Sequence, residues 1–160
     1  MSTGAFYRYF TDKRAVFVEV VAQHLRQSQE EVMARLTPER FVGLARRDTI
    51  YEGVGVLFEH VLAHPHLMRS FMEMSLRDPQ VAELRRAVEV LASQRLAELI
   101  RLISDPKDVP DPEAFAYVLY GSAMQCAYGL AVHLVPTAID RERARAALTA
   151  FIERALFPGR

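Results

Sequence analysis

Apolar residues recur at intervals of three and four along nearly the whole chain, the period of helices with one buried stripe. No stretch alternates in steps of two between hairpin turns, so no strand is expected. The pattern predicts an all-α fold, cut by prolines and by residues suited to capping helices. A short helix is expected over residues 2–10, started by Ser2 or Thr3, and a long one over 12–36 with Thr11 as its cap. The buried stripe of the long helix would be Val16, Val20, Val21, Leu25, Val32 and Leu36. Thr37-Pro38 opens a short helix over 38–46. The next, over 48–63, turns Ile50, Tyr51, Val54, Leu57, Phe58, Val61 and Leu62 inward. Gly53 and Gly55 weaken it by roughly 1 kcal/mol each relative to alanine, and close approach by another helix or a ligand is the expected compensation. Pro65 breaks the pattern, and a helix over 66–76 carries Leu67, Phe71, Met72 and Met74. Asp78-Pro79, Asp111-Pro112 and Asp140 then start three helices, running to about 104, 134 and 157. Pro106 and Pro110 mark 105–111 as a loop, and Pro136 stops the second of the three.

Residues 114–135 carry no formal charge, and 22 positions would span a bilayer on length alone. Ser122, Gln125 and His133 interrupt the stretch, and Tyr117, Tyr120 and Tyr128 are scattered through it rather than gathered at its ends. It therefore reads as a buried helix with two occupied faces, not as a membrane span. Tyr117, Gly121, Met124 and Tyr128 form one row; Phe115, Leu119, Ser122, Cys126 and Leu130 form the other. The last helix has a wide stripe of Ala144, Ala147, Leu148, Phe151, Ile152, Ala155 and Leu156, with Arg141, Arg145 and Arg154 opposite. Two such helices from each of two chains would make a four-helix bundle about a two-fold axis. The expected homodimer interface is thus Leu119, Ser122, Cys126, Leu130, Leu148, Phe151, Ile152 and Ala155. Completion of each chain's own core by the same helices is the plainer alternative.

Composition narrows the function classes. With 160 residues, 51% apolar and 25% charged, the chain is sized for one globular domain and is not disordered. Twenty basic residues balance twenty acidic ones, so no global basic field draws the whole chain to nucleic acid or acidic lipid. Cys126 is the single cysteine, which excludes an internal disulfide and fits a cytoplasmic location. Arg8, Asp12, Lys13 and Arg14 interrupt any apolar leader, so no secretion signal is expected. The serine-nucleophile elbow, the phosphate-binding loop and the dinucleotide glycine pattern are all missing, which argues against an enzyme. His60 and His64 lie four apart with His66 close behind, a spacing able to place two imidazoles on one metal. Surface or capping histidines explain them better, and no metal or other cofactor is expected.

The segment Ser2-Thr3-Gly4-Ala5-Phe6-Tyr7-Arg8-Tyr9-Phe10-Thr11-Asp12-Lys13 resembles the recognition helix and following turn of TetR-type transcriptional repressors. The family pattern is a small polar start, a glycine, an apolar residue before a tyrosine, an aromatic or histidine, a phenylalanine, and a lysine opening the next helix. The chain matches it position by position over these twelve residues. The resemblance implies a helix-turn-helix remnant over 1–13 and a helical ligand-binding and dimerisation domain over 14–160. It implies that Thr3, Gly4, Tyr7, Tyr9 and Lys13 meet operator DNA. Small residues let the backbone approach base edges, and the hydroxyls and the lysine reach phosphate oxygens. Phe6 and Phe10 would face the core of the small domain. Family members carry two further helices before this segment, and the first of these braces the recognition helix. The expectation is therefore a shortened repressor that keeps its sensor and dimer domain and binds operator poorly or not at all.

A sensor pocket would lie between helices, mostly apolar with a few polar groups. The candidates are Tyr51, Phe58, Phe71, Met72, Met74, Tyr117, Met124, Gln125 and Tyr128, with Gly53, Gly55 and Gly121 leaving room. Each of these residues taken singly also fits ordinary core packing. Together they imply a small apolar or aromatic effector. On the resemblance, that effector would shift the long helix over 12–36 and change the separation of two DNA-binding heads. The alternative reading is a stand-alone helical protein that binds a small molecule, or pairs with longer regulators, without binding DNA.

Overall fold

The computed structural model describes residues 13–42, 45–132 and 139–158. The expected helix over 2–10, with Thr3, Gly4, Tyr7 and Tyr9, lies outside the described residues, as do His133 and Pro136. Six α-helices follow in order: α1 (Lys13–Arg35), α2 (Ala45–Ala63), α3 (Pro65–Ser75), α4 (Pro79–Ile103), α5 (Pro112–Ala131) and α6 (Arg141–Leu156). A single 3-10 turn (Pro38–Phe41) lies between α1 and α2, and there is no strand among the described residues.

Three aspartates start three helices for one physical reason. The free amides of a first turn need an acceptor, and a short carboxylate supplies it. Asp78 accepts from the Gln80 and Val81 amides, Asp111 from Ala114 and Asp140 from Arg143. The segment after Thr37 is shorter than its sequence suggests. Thr37 makes no side-chain cap bond, the turn is 3-10, and extended backbone at Val42 (φ −80°, ψ 127°) ends it. The helix α2 consequently begins at Ala45, ahead of Asp48.

The helix α2 is the hub of the bundle and touches α1, α3, α5, α6 and the 3-10 turn, while α4 runs along α5. Its crowding accounts for its glycines. A methyl on Gly53 would come within 2.7 Å of Leu36 Cδ2, and one on Gly55 would collide with the Arg145 guanidinium. Arg145 was expected on the solvent side of α6. Instead its Nε donates to the Tyr51 carbonyl (2.9 Å) and its guanidinium lies 3.6 Å from the Tyr51 ring centroid. Arg141 likewise turns toward α2 and pairs with Glu59 at 2.9 Å.

The core joins Val21 and Leu25 of α1 to Val54, Phe58 and Val61 of α2, Met68 and Phe71 of α3, and Ile100 of α4. On α5 the most enclosed row is Ala116, Leu119, Ala123, Ala127 and Ala131, mostly alanines rather than the bulkier residues beside them. Val20 points outward instead of joining the stripe of α1. Among the described residues, no helix is long and apolar enough to cross a membrane.

Candidate functional site

Six of the nine candidate pocket residues come together. Phe71 and Met72 of α3 and Tyr117, Met124, Gln125 and Tyr128 of α5 line one open cleft of about 690 Å³, which α4 closes with Arg85, Val88, Glu89 and Gln94. Gly121 sits on its wall, where a methyl would meet nothing within 4 Å. The other three candidates lie elsewhere. Phe58 is wholly enclosed in the core and Met74 packs against that core. Tyr51 sits at the junction of α2 and α6, where its hydroxyl donates to Glu142 Oε2 at 2.6 Å.

Arg85 and Glu89 line the cleft as a charged pair, Ser75 bonds to Arg85 from outside the lining, and the sequence reading names none of the three. Arg85 Nε donates to Glu89 Oε1 (2.7 Å) and its Nη1 to Ser75 Oγ (3.3 Å). Ser75 Oγ in turn donates to the Met72 carbonyl at 2.8 Å. The partly buried hydroxyls of Tyr120 and Tyr128 share this environment. Burial pushes the Tyr128 phenol up to about 12, and burial followed by the neighbouring Tyr128 raises Tyr120 as well. Both therefore stay protonated, as donors, throughout the physiological range.

Behind the cleft, a second cavity of about 140 Å³ lies among α1, α2, α4 and α5, walled by apolar side chains such as Val32, Leu57 and Leu96. That is close to the size of an engineered cavity able to hold benzene, and well below an ordinary ligand pocket. The two hollows share Leu25, Val88, Tyr120 and Met124 as a common wall. Gln29 of α1 reaches across to the Val88 carbonyl of α4 (2.9 Å), and Arg14 of α1 meets Asp78 at the start of α4. The long first helix is thus tied to α4 near its start and again past its middle.

Histidines gather at the edge of the smaller cavity, in a different set from the one their spacing suggested. His24 of α1 packs edge-on against His60 (5.8 Å between centroids) and His64 (5.1 Å). His60 Nε2 lies 2.8 Å from Glu31 Oε2. Among the described residues, no three His, Cys, Asp or Glu side chains surround a common metal position. Burial, then the neighbouring His64, holds the His24 imidazole below its usual range. A depressed folded-state value stabilises the fold above the unfolded value and loses that contribution as pH falls through it. Thermal melts should therefore show stability declining below about pH 6.5. His24→Gln should flatten that part of the profile, and an unchanged profile would remove His24 as its source.

The expected interface residues divide. Leu119, Leu148 and Ile152 face the chain's own core. Ser122, Cys126, Leu130 and Ala155 are half-buried, and Phe151 is 53% exposed. Ser122 Oγ is turned onto the Val118 carbonyl of its own helix (2.8 Å), and burial raises the Cys126 thiol. An outer row of Ala147, Ala150, Phe151, Arg154 and Ala155 lines a shallow open depression on α6. Tyr117 and Val118 are likewise exposed on α5. Lys13 is the first described residue and is exposed at the start of α1. In comparisons with protein-family models and with curated proteins, the chain matches none.

Proposed function

We propose that the chain is the effector-binding and dimer-forming part of a ligand-responsive transcriptional regulator of the TetR type. The observation that carries the reading is the cleft of about 690 Å³ between α3, α4 and α5, which has the size and the apolar-with-polar-end lining of a small-molecule site. The resemblance of Ser2–Lys13 to a groove-reading helix supplies the DNA side of the reading, because those residues lead directly into α1. Two ties between α1 and α4 supply the coupling. An occupant that spreads α4 from α5 pulls on the Gln29–Val88 and Arg14–Asp78 contacts, and α1 moves with them as a lever. The effector acts only through a difference in affinity between the two positions of that lever. Homodimerisation through the outer faces of α5 and α6 sets two such levers side by side, which half-site spacing on a duplex requires.

Gly121→Phe tests the reading. The position is open and helical, so the variant should fold as stably as the parent. Its ring takes up part of the space at the wall of the cleft. A screen of small aromatic and aliphatic compounds should find ones that raise the melting temperature of the parent by mass action and leave the variant unmoved. A reporter driven by the DNA adjoining the protein's own gene should respond to those compounds with the parent and lose the response with Gly121→Phe. Compounds that stabilise both proteins equally, or a reporter indifferent to the protein, would overturn the proposal.

A further inference from the structure

The cleft is apolar on its walls and donor-rich at one end. Phe71, Met72 and Met124 offer surfaces for a hydrocarbon or aromatic body. At the other end the Arg85 guanidinium is braced from two sides, by Glu89 at Nε and by Ser75 at Nη1. An arginine held in this way keeps its remaining N–H groups in a fixed fork, and so gives up little freedom when an acceptor arrives. Tyr120 and Tyr128 stand eight residues apart on α5, on one side of the helix, and line the same cleft. Both feel the charges of Arg85 and Glu89, which places the four groups in one neighbourhood. Among the described residues neither phenol makes a hydrogen bond, so each has a donor to give.

The other charged groups at the mouth are engaged elsewhere: Arg86 with Glu83, and Glu113 with Arg101. The charged acceptor inside is Glu89, already bonded to Arg85, while Gln94 and Gln125 each bring two amide donors beside one acceptor oxygen. Donors therefore exceed open acceptors. A cationic ligand would face the guanidinium across the same space, despite the aromatic walls. A lone hydroxyl would leave most of the donors unused. A carboxylate has acceptor sites for all three groups at once.

We propose that this cleft takes a ligand with an aromatic or aliphatic body and a terminal carboxylate, held by Arg85 and by the hydroxyls of Tyr120 and Tyr128. The assignment rests on the cleft being the effector site and adds the chemical class of the effector. Glu89 and Ser75 act as positioning residues that aim the guanidinium.

The test is a fluorescence titration of the full chain with 2-naphthoate and, separately, with 2-ethylnaphthalene, which has the same rings and no carboxylate. The chain contains no tryptophan, so naphthalene emission is read against a dark background. Wild type should bind the carboxylate about tenfold or more tightly than the hydrocarbon. Arg85→Met should erase that preference and keep the hydrocarbon affinity. The double variant Tyr120→Phe/Tyr128→Phe preserves ring packing and should cut the preference severalfold, which keeps the test sharp if Arg85→Met melts early. Equal affinity for the two probes, or a preference that survives both variants, would overturn the carboxylate assignment and leave the effector cleft standing. Failure of both probes to bind would bring down the cleft itself and the assignment with it. Binding of 2-naphthoate that Gly121→Phe does not impair would place the anion elsewhere and overturn the assignment.

Discussion

Phe58→Ala is expected to lower the stability of the chain by about 3–5 kcal/mol, the range for emptying a fully enclosed aromatic site. The ring is 0% exposed in the middle of α2, the helix against which α1, α3, α5, α6 and the 3-10 turn pack. Its neighbours cannot close the gap without dragging several helices inward, so the cavity term adds to the lost transfer energy. For a domain of this size, each kcal/mol shifts the melting temperature by roughly 2–4 °C, so the variant should melt about 6–20 °C below the parent. Denaturant unfolding should show a lower midpoint at unchanged slope. The same experiment decides between two roles for this residue, because the helical period alone placed it among the pocket candidates. A variant that keeps its stability and loses only its response to ligands would return Phe58 to the pocket.

Phe151→Glu is expected to convert a dimer into a monomer while the protomer melts as before. The side chain is more than half exposed and contributes little to the fold, yet it stands among Ala147, Ala150 and Ala155 on the outer face of α6. Aromatic anchors in flat, small-residue surroundings tend to hold a disproportionate share of an interface's free energy. A carboxylate there, even with Arg154 in the same depression, would carry its desolvation cost into the interface on top of the lost ring. Light scattering across a concentration series is the measurement. A wild-type chain that is monomeric throughout, or a variant that stays dimeric, would remove this face from the interface.

How much of this was legible beforehand depended on which physical signal each feature sends. The aspartate caps at Asp78, Asp111 and Asp140 were readable because a carboxylate before a first turn has a local purpose that tertiary context rarely alters. The row Tyr117, Gly121, Met124 and Tyr128 was readable as one face because helical spacing fixes which side chains travel together. Spacing does not say which hollow an inward face reaches, and so the same pattern groups Tyr51 and Phe58 with residues whose cleft they do not line. The alanine row of α5 sends a faint signal, since a methyl group barely registers beside Phe115 or Leu130, although small residues allow the closest helix packing. Arg85 and Glu89 resemble an ordinary solvated pair four apart on a helix. What distinguishes them is Ser75, ten residues away on another helix, and no local pattern carries that information. His24 joined His60 and His64 for the same reason, through folding rather than through spacing.

The wall formed by Leu25, Val88, Tyr120 and Met124 belongs to both hollows at once. Displacing Tyr120 or Met124 to make room on one side takes volume from the other. Two occupants would then be linked antagonistically, each weakening the second by the same factor that the second weakens the first. A fragment small enough for the smaller hollow would therefore act as a competitor of the larger guest without entering its cleft.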